Sequence, residues 1–264
     1  MSRNWSTEAI VLKTHRIGDN HKGVLLCTPF RGNISAIAHG AASQKGKLRN
    51  AALPFARGTV YLYEDKVHNS MKITDFDVTI LPEGIRAQIQ SFFAASIAAE
   101  IMLLGHVESE SREMFDLFAA CLDFLEGFAF EVTENPQRQV HPMSILALFL
   151  WNYLLFAGVC PDLDFCGTSG RKLLPDQQVY FSFLDTAFMH TPEKHDMSGH
   201  HLVLPPPSLT ILQWVKEKPY TRTGKEALPS HTITPLYNLG IHLVQQFIGR
   251  KLNSVRTAAG MFRI

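Results

Sequence analysis

The sequence predicts an α+β protein in which a small five-stranded β-barrel precedes a domain of α-helices. Three observations carry this expectation. The first 80 residues contain five short runs of strand-forming residues separated by turn chemistry. From residue 85 the apolar residues recur at the 3.6-residue period of helices. Pro82, Glu83 and Gly84 stand at the change of regime.

Residues 8–15 (EAIVLKTH) read as the first strand, closed by the turn residues Gly18, Asp19 and Asn20. Residues 22–28 (KGVLLCT) form the second, followed by Pro29, Phe30, Arg31 and Gly32. Residues 33–39 (NISAIAH) alternate with period two, as a half-buried strand does. A segment without periodicity, 40–53, then separates them from strands at 55–63 and 71–81. Five short strands with one longer connection after the third suit an oligonucleotide-binding (OB) barrel, with an SH3-like barrel as the alternative.

Helices are expected at 85–104, 109–128, 142–156, 208–218 and 234–253. The third (PMSILALFLWNYLLF) is apolar on almost every side, which places it at the centre of the helical core. Residues 159–207 are punctuated by proline and glycine and read as irregular. The expected division is therefore 1–81 for the barrel and 82–264 for the helical domain with that irregular insertion.

The chain has 264 residues, 46% hydrophobic and 19% charged, an ordinary globular balance that excludes a collagen-like or disordered composition. Four cysteines are too few for a disulfide scaffold, and the opening MSRNWSTEAIVLK lacks signal-peptide layout; a cytoplasmic protein is expected. No apolar run is long enough to cross a bilayer. The net charge of +1 conceals asymmetry. Residues 1–80 carry 11 Lys and Arg against 6 Asp and Glu, residues 81–170 carry 3 against 12, and residues 171–264 carry 11 against 6. The basic ends permit a polyanionic partner.

Within residues 13–49 seven basic residues face one acid, Asp19. Lys13, Arg16, Lys22, Lys45, Lys47 and Arg49 are the candidate phosphate contacts, because cations beside a barrel need no rigid placement to neutralise a nucleic-acid backbone. The segment carrying Lys45, Lys47 and Arg49 (GAASQKGKLRNAALPF) is expected to be a flexible connection. Phe30 is open as a stacking residue or a core residue, whereas Tyr61 and Tyr63, two apart on one strand face, are expected in the core. A second basic group, Arg250, Lys251 and Arg256, with Arg263 beyond, ends the last helix. Those cations can complement the helix dipole or bind phosphate.

At this point the chain resembles the RecO family of bacterial recombination mediators. The resemblance runs in order through AIVLKT (9–14), the turn residues Thr28, Pro29 and Gly32, and ISAIA (34–38). It continues through Gly40, Lys45, Lys47, Leu48, Arg49, Leu53, Pro54 and Phe55, FDLF (115–118), then Gly158, Pro161, Leu163 and Cys166. It closes on GRKL with Ser254 and Arg256. The resemblance implies an N-terminal OB fold, a helical domain and a small zinc-bearing module. It implies binding of single- and double-stranded DNA, annealing of complementary strands in DNA repair and recombination, and help in loading recombinase onto strands coated by single-strand-binding protein (SSB). It also implies RecR and the SSB C-terminal tail as partners, and Leu239 and Leu243 with Arg250 and Lys251 are the candidates for holding that acidic, apolar tail.

The zinc module is where this sequence departs. Family members with structural zinc carry two C-x-x-C pairs; here the first reads Cys166-Gly167-Thr168-Ser169, and His190 and Glu193 stand at the second. The expectation is that the metal site is lost, leaving no cofactor, with Cys160 and Cys166 as packed side chains. His190, His195, His200 and His201 lie in a polar, glycine-containing segment without the H-E-x-x-H pattern. With no G-x-S-x-G, P-loop or dinucleotide fingerprint, no enzyme is expected. The competing classes are a protein-interaction scaffold without nucleic-acid binding and a metal-dependent hydrolase built on those histidines.

Overall fold

A computed structural model describes residues 3–43, 45–49, 51–68, 70–105, 112–134, 141–175, 177–190, 201–218, 220 and 230–260. Strands β1 (Asn4–Ile17), β2 (His21–Thr28), β3 (Gly32–Ala38), β4 (Arg57–Asp65) and β5 (Ser70–Ile80) close into a barrel of order β1-β2-β3-β5-β4. All neighbours are antiparallel except β3 and β5, which pair in parallel at Ile37–Lys72 and Ala38–Ile73. That order is the OB arrangement, so the SH3-like alternative falls away.

β1 is longer than its sequence signal. Its first half pairs with β4 from Asn4–Tyr63 to Ile10–Arg57, and its second half pairs with β2 as far as Ile17–His21. The polar start (NWST) hid the early half, in which Trp5 is the one large apolar side chain packed on the barrel core and the ladder to β4 does the rest. In the middle, Ala9, Ile10, Val11 and Leu12 are all buried. Ala9 and Val11 join the barrel core with Val24, Leu26, Val60 and Leu62, while Ile10 and Leu12 join the helical core. Burial on both faces removes the alternation that a one-sided strand would show.

The helical domain comprises α1 (Glu83–Ala87), α2 (Ile89–Leu104), α3 (Arg112–Glu134), α4 (Pro142–Phe156), α5 (Pro207–Glu217), α6 (Ser230–Ile248) and α7 (Asn253–Thr257). One expected helix is divided into α1 and α2 at Gln88, whose backbone is extended (φ −106°, ψ 111°). The last expected helix, 234–253, begins earlier and stops at Ile248, ended by Gly249 at φ 74°, a left-handed conformation that glycine adopts without steric cost, and the short α7 follows it. α4 is buried continuously from Pro142 to Leu154. Each large side chain it buries, among them Phe149 and Trp151, contributes about 1.5–3 kcal/mol. The Trp151 indole N–H donates to the Leu236 carbonyl of α6 at 3.1 Å, so the polar edge of that ring is satisfied inside the core.

The segment expected to be irregular holds a three-stranded antiparallel sheet, β7-β6-β8, from β6 (Val179–Ser182), β7 (Ala187–Met189) and β8 (His201–Leu204). Strands this short carry too few residues for a period to register. Among the described residues, no helix is long and apolar enough to cross a membrane.

Candidate nucleic-acid interface

The β1–β2 hairpin and the segment after β3 bring three expected cations to one concavity. Arg16 and Lys22 are cross-strand partners, and with Arg49, Thr14, His15 and Ala42 they line a cavity of about 310 Å³. Like charges directly opposite across a ladder are destabilising. Among the described residues, no carboxylate forms an ion pair with Arg16 or Lys22.

Backbone carbonyls orient these cations. Arg16 donates from Nε to Gly18 O at 3.1 Å and from Nη2 to Asp19 O at 2.9 Å, laying its guanidinium over its own turn. Lys22 Nζ donates to Ala52 O at 3.0 Å. Burial pushes the Lys22 ammonium below its usual range, and the Arg49 charge pushes it further the same way. The Arg49 guanidinium thus lies close enough to Lys22 for its charge to be felt there.

The segment carrying the other cations is a pinned lobe rather than the expected flexible connection. Leu48, Ala51 and Ala52 are buried in the barrel core. Ala42 N donates to Asn20 O at 3.0 Å, and Gly40 N donates to His21 Nδ1 at 3.1 Å. At Gly46 a Cβ would stand 1.9 Å from Gly40 O, so only glycine permits this close turn. The sequence concealed the lobe because its anchors are mostly alanines without periodicity.

Within the lobe the cations differ. Lys45 is exposed. Lys47 instead pairs with Asp75 of β5 at 2.6 Å, and that contact, with Asp77 adding to it, raises its pKa. Lys47 is therefore directed to an acidic strand face, away from the cavity of Arg16, Lys22 and Arg49.

Lys13 and Arg250 meet elsewhere, at a groove of about 420 Å³ between the barrel and α2. Its walls include Leu12, Phe55, Phe92, Leu103 and Leu104. Lys251 and Arg256 are exposed and line neither cavity. Leu239 and Leu243 are only 1% and 4% exposed, packed in the helical core. They cannot present side chains to a peptide; helical periodicity located the stripe but not which elements cover it. The apolar groove that does carry cations was missed because Lys13 and Arg250 lie 237 positions apart in sequence.

Tyr61 is 40% exposed and Phe30 is 73% exposed, so the core expectation fails for Tyr61. Val60 and Leu62 take the inward positions of β4, which turns Tyr61 outward, where it hydrogen-bonds Asp77. Tyr63 is half-buried beneath Lys72, whose Nζ lies 6.0 Å from the ring centroid.

Cys166 is buried and Cys160 half-buried. Desolvation alone would raise the Cys166 thiol, but the Ser169 and Thr168 hydroxyls and the Ser169 and His190 amides outweigh it and bring it down to about 6. Ser169, where a second thiolate would be needed, spends its hydroxyl on that sulfur. A closed tetrahedral zinc site needs four ligands, so this half of the module does not fit the metal. Glu193, His195, His200 and Arg263 lie outside the described residues. His201 packs edge-on against Tyr180 at 5.8 Å. Among the described residues, no three His, Cys, Asp or Glu side chains are grouped to hold a metal.

The architecture is that of an OB-barrel protein with an appended helical domain, and the barrel carries the cavity lined by Arg16, Lys22 and Arg49. Comparison with known proteins gives the family. The N-terminal domain of recombination protein O matches residues 1–79, and the C-terminal domain of recombination protein O matches residues 86–256. The chain belongs to the RecO family. A protein named DNA repair protein RecO from Nostoc punctiforme is 28% identical over 177 residues, covering 67% of this chain and 56% of that relative. The Thermoanaerobacter protein of the same name is 26% identical over 176 residues, covering 67% of this chain and 65% of its own length. The one from Bacillus pumilus is 24% identical over 249 residues, covering 94% and 91%.

Proposed function

We propose that this protein is a non-catalytic, cytoplasmic DNA-binding recombination mediator that holds strands by their phosphates and lets base pairing choose the partner. The observation that carries the reading is the cavity on the barrel whose lining brings Arg16, Lys22 and Arg49 together. Phosphate contacts fix position and carry no sequence information, which is what annealing any two complementary strands requires. Both single strands and duplex offer the same phosphates. The side chains work by charge and by hydrogen-bond donation: Arg16 and Arg49 offer planar forks, and Lys22 offers a point charge.

The groove of Lys13 and Arg250 supports a second contact. Apolar walls with the cations Lys13 and Arg250, the latter partly offset by Glu100 in the same lining, support docking of an acidic, apolar peptide end, the chemistry of the SSB tail. Docking there would hold the protein on SSB-coated strands while the barrel engages exposed DNA and recombinase is loaded. RecR enters this reading as a partner through family membership alone.

Annealing of two complementary fluorescent oligonucleotides tests the proposal. The wild-type protein should accelerate duplex formation, and the Arg16→Ala, Lys22→Ala, Arg49→Ala triple variant should lose that acceleration with an unchanged far-UV spectrum. Full acceleration by the folded triple variant would refute it.

A further inference from the structure

We propose that this chain closes its cysteine knuckle without metal, helix α5 and the hydroxyls beside Cys166 replacing the cross-links a zinc ion would supply. The knuckle backbone is formed: Gly170 N donates to Cys166 O at 2.9 Å, and Cys166 N donates to Arg171 O at 2.8 Å. It is tied to β7 by Gly167 N donating to Phe188 O at 2.9 Å. A Cβ on Gly167 would lie 2.4 Å from the Ala187 Cβ, so the two chains approach as closely as glycine allows. At the position of a metal–sulfur bond, Cys166 Sγ instead meets the Thr168 hydroxyl at 3.3 Å.

Two side chains of α5 span the knuckle. Gln213 Nε2 donates to Leu163 O at 2.9 Å and to Leu173 O at 3.4 Å, joining the two ends of the loop through one amide. Lys216, one helical turn on, pairs with Asp164. Small zinc modules need their metal because they bury too little apolar surface to offset the ordering of the chain. This one is not isolated: Leu163, Cys166, Leu173, Phe181 and Phe188 belong to the same buried core as α4. Phe188 lies 6.2 Å from Trp151 of that helix. Core burial and the Gln213 clamp thus provide what metal coordination otherwise provides.

The test uses the full chain purified without an affinity tag, with zinc measured by mass spectrometry and thermal unfolding followed with and without a chelator. The expected result is substoichiometric zinc, no shift in Tm on chelation, and a Tm lower by about 2–6 °C for Gln213→Ala, which leaves two carbonyls unpaired. One zinc per chain, or a chelator-induced fall in Tm, would overturn the metal-free knuckle. An unchanged Tm in both Gln213→Ala and Lys216→Ala would overturn the role of α5. Should Gln213→Ala fail to fold, Lys216→Ala and the chelation arm still decide between these outcomes.

Discussion

Arg57 and Asp123 meet side by side where the barrel joins the helices: Nη2 donates to Oδ1 at 3.0 Å and Nη1 to Oδ2 at 3.2 Å. Arg57 opens β4 and Asp123 lies on α3, so this fork-to-fork pair links the barrel to the helical core. Arg112 of α3 adds a second link to Glu8 of β1 at 3.1 Å. Asn33 donates a third, to the Met102 carbonyl of α2 at 2.8 Å. A double-mutant cycle of Arg57→Ala and Asp123→Ala should give a coupling of about 0.5–1 kcal/mol, discounted because Asp123 is half exposed. Additive losses in denaturant unfolding would mean the pair contributes nothing to the junction.

Lys47 is neutralised by Asp75. Asp75→Asn frees one cation on the lobe that carries Arg49. Affinity for a single-stranded oligonucleotide should rise roughly two- to fivefold, with the salt slope steeper by about 0.7. An unchanged isotherm would show that Lys47 does not reach DNA even when released.

Gly46→Ala would force the Gly40 carbonyl aside. The lobe then shifts while the barrel core stays, so DNA affinity should fall more steeply than stability, which drops by about 0.5–3 kcal/mol. Oligonucleotide titration beside denaturant unfolding separates the two effects. Unaltered affinity would mean that the lobe's position is irrelevant to the interface.

Burial would raise the Glu100 carboxyl, yet hydrogen bonds from the Ser254 hydroxyl and amide and the Asn253 amide, with the Arg250 charge, hold it below its usual value. A carboxylate lowered in the folded state contributes stability that is present above its unfolded pKa. That stability is lost as pH falls through the lower, folded pKa. Glu100→Gln should therefore cost about 1–2 kcal/mol at pH 7 and progressively less at acid pH. A cost independent of pH from 7 to 3 in chemical denaturation would contradict this role for the carboxylate.

The barrel and its strand count were legible in residues 8–81 because runs of strand formers and the turn residues between them act locally. The early half of β1, by contrast, depends on pairing with β4, some 50 positions away, and no local signal marks it. The sequence shows which residues are cations, whereas their destinations are set by long-range geometry. Lys47 pairs with Asp75, Lys13 lines one groove with Arg250, and Arg16, Lys22 and Arg49 line one cavity. Leu239 and Leu243 show the same limit, since a helical stripe announces burial without saying against what. Membership of the RecO family, by contrast, was readable from motif order alone, and the family comparisons support it over residues 1–79 and 86–256.

The most direct measurement is a titration of labelled single-stranded DNA across a range of salt, comparing the wild-type protein with the Arg16, Lys22 and Arg49 triple alanine variant. If three to four phosphates are held, log affinity against log salt should slope by about −2 to −3, and the variant should lose about 2 of that slope. A wild-type response that is flat in salt, or a variant with the wild-type slope and affinity, would contradict the account.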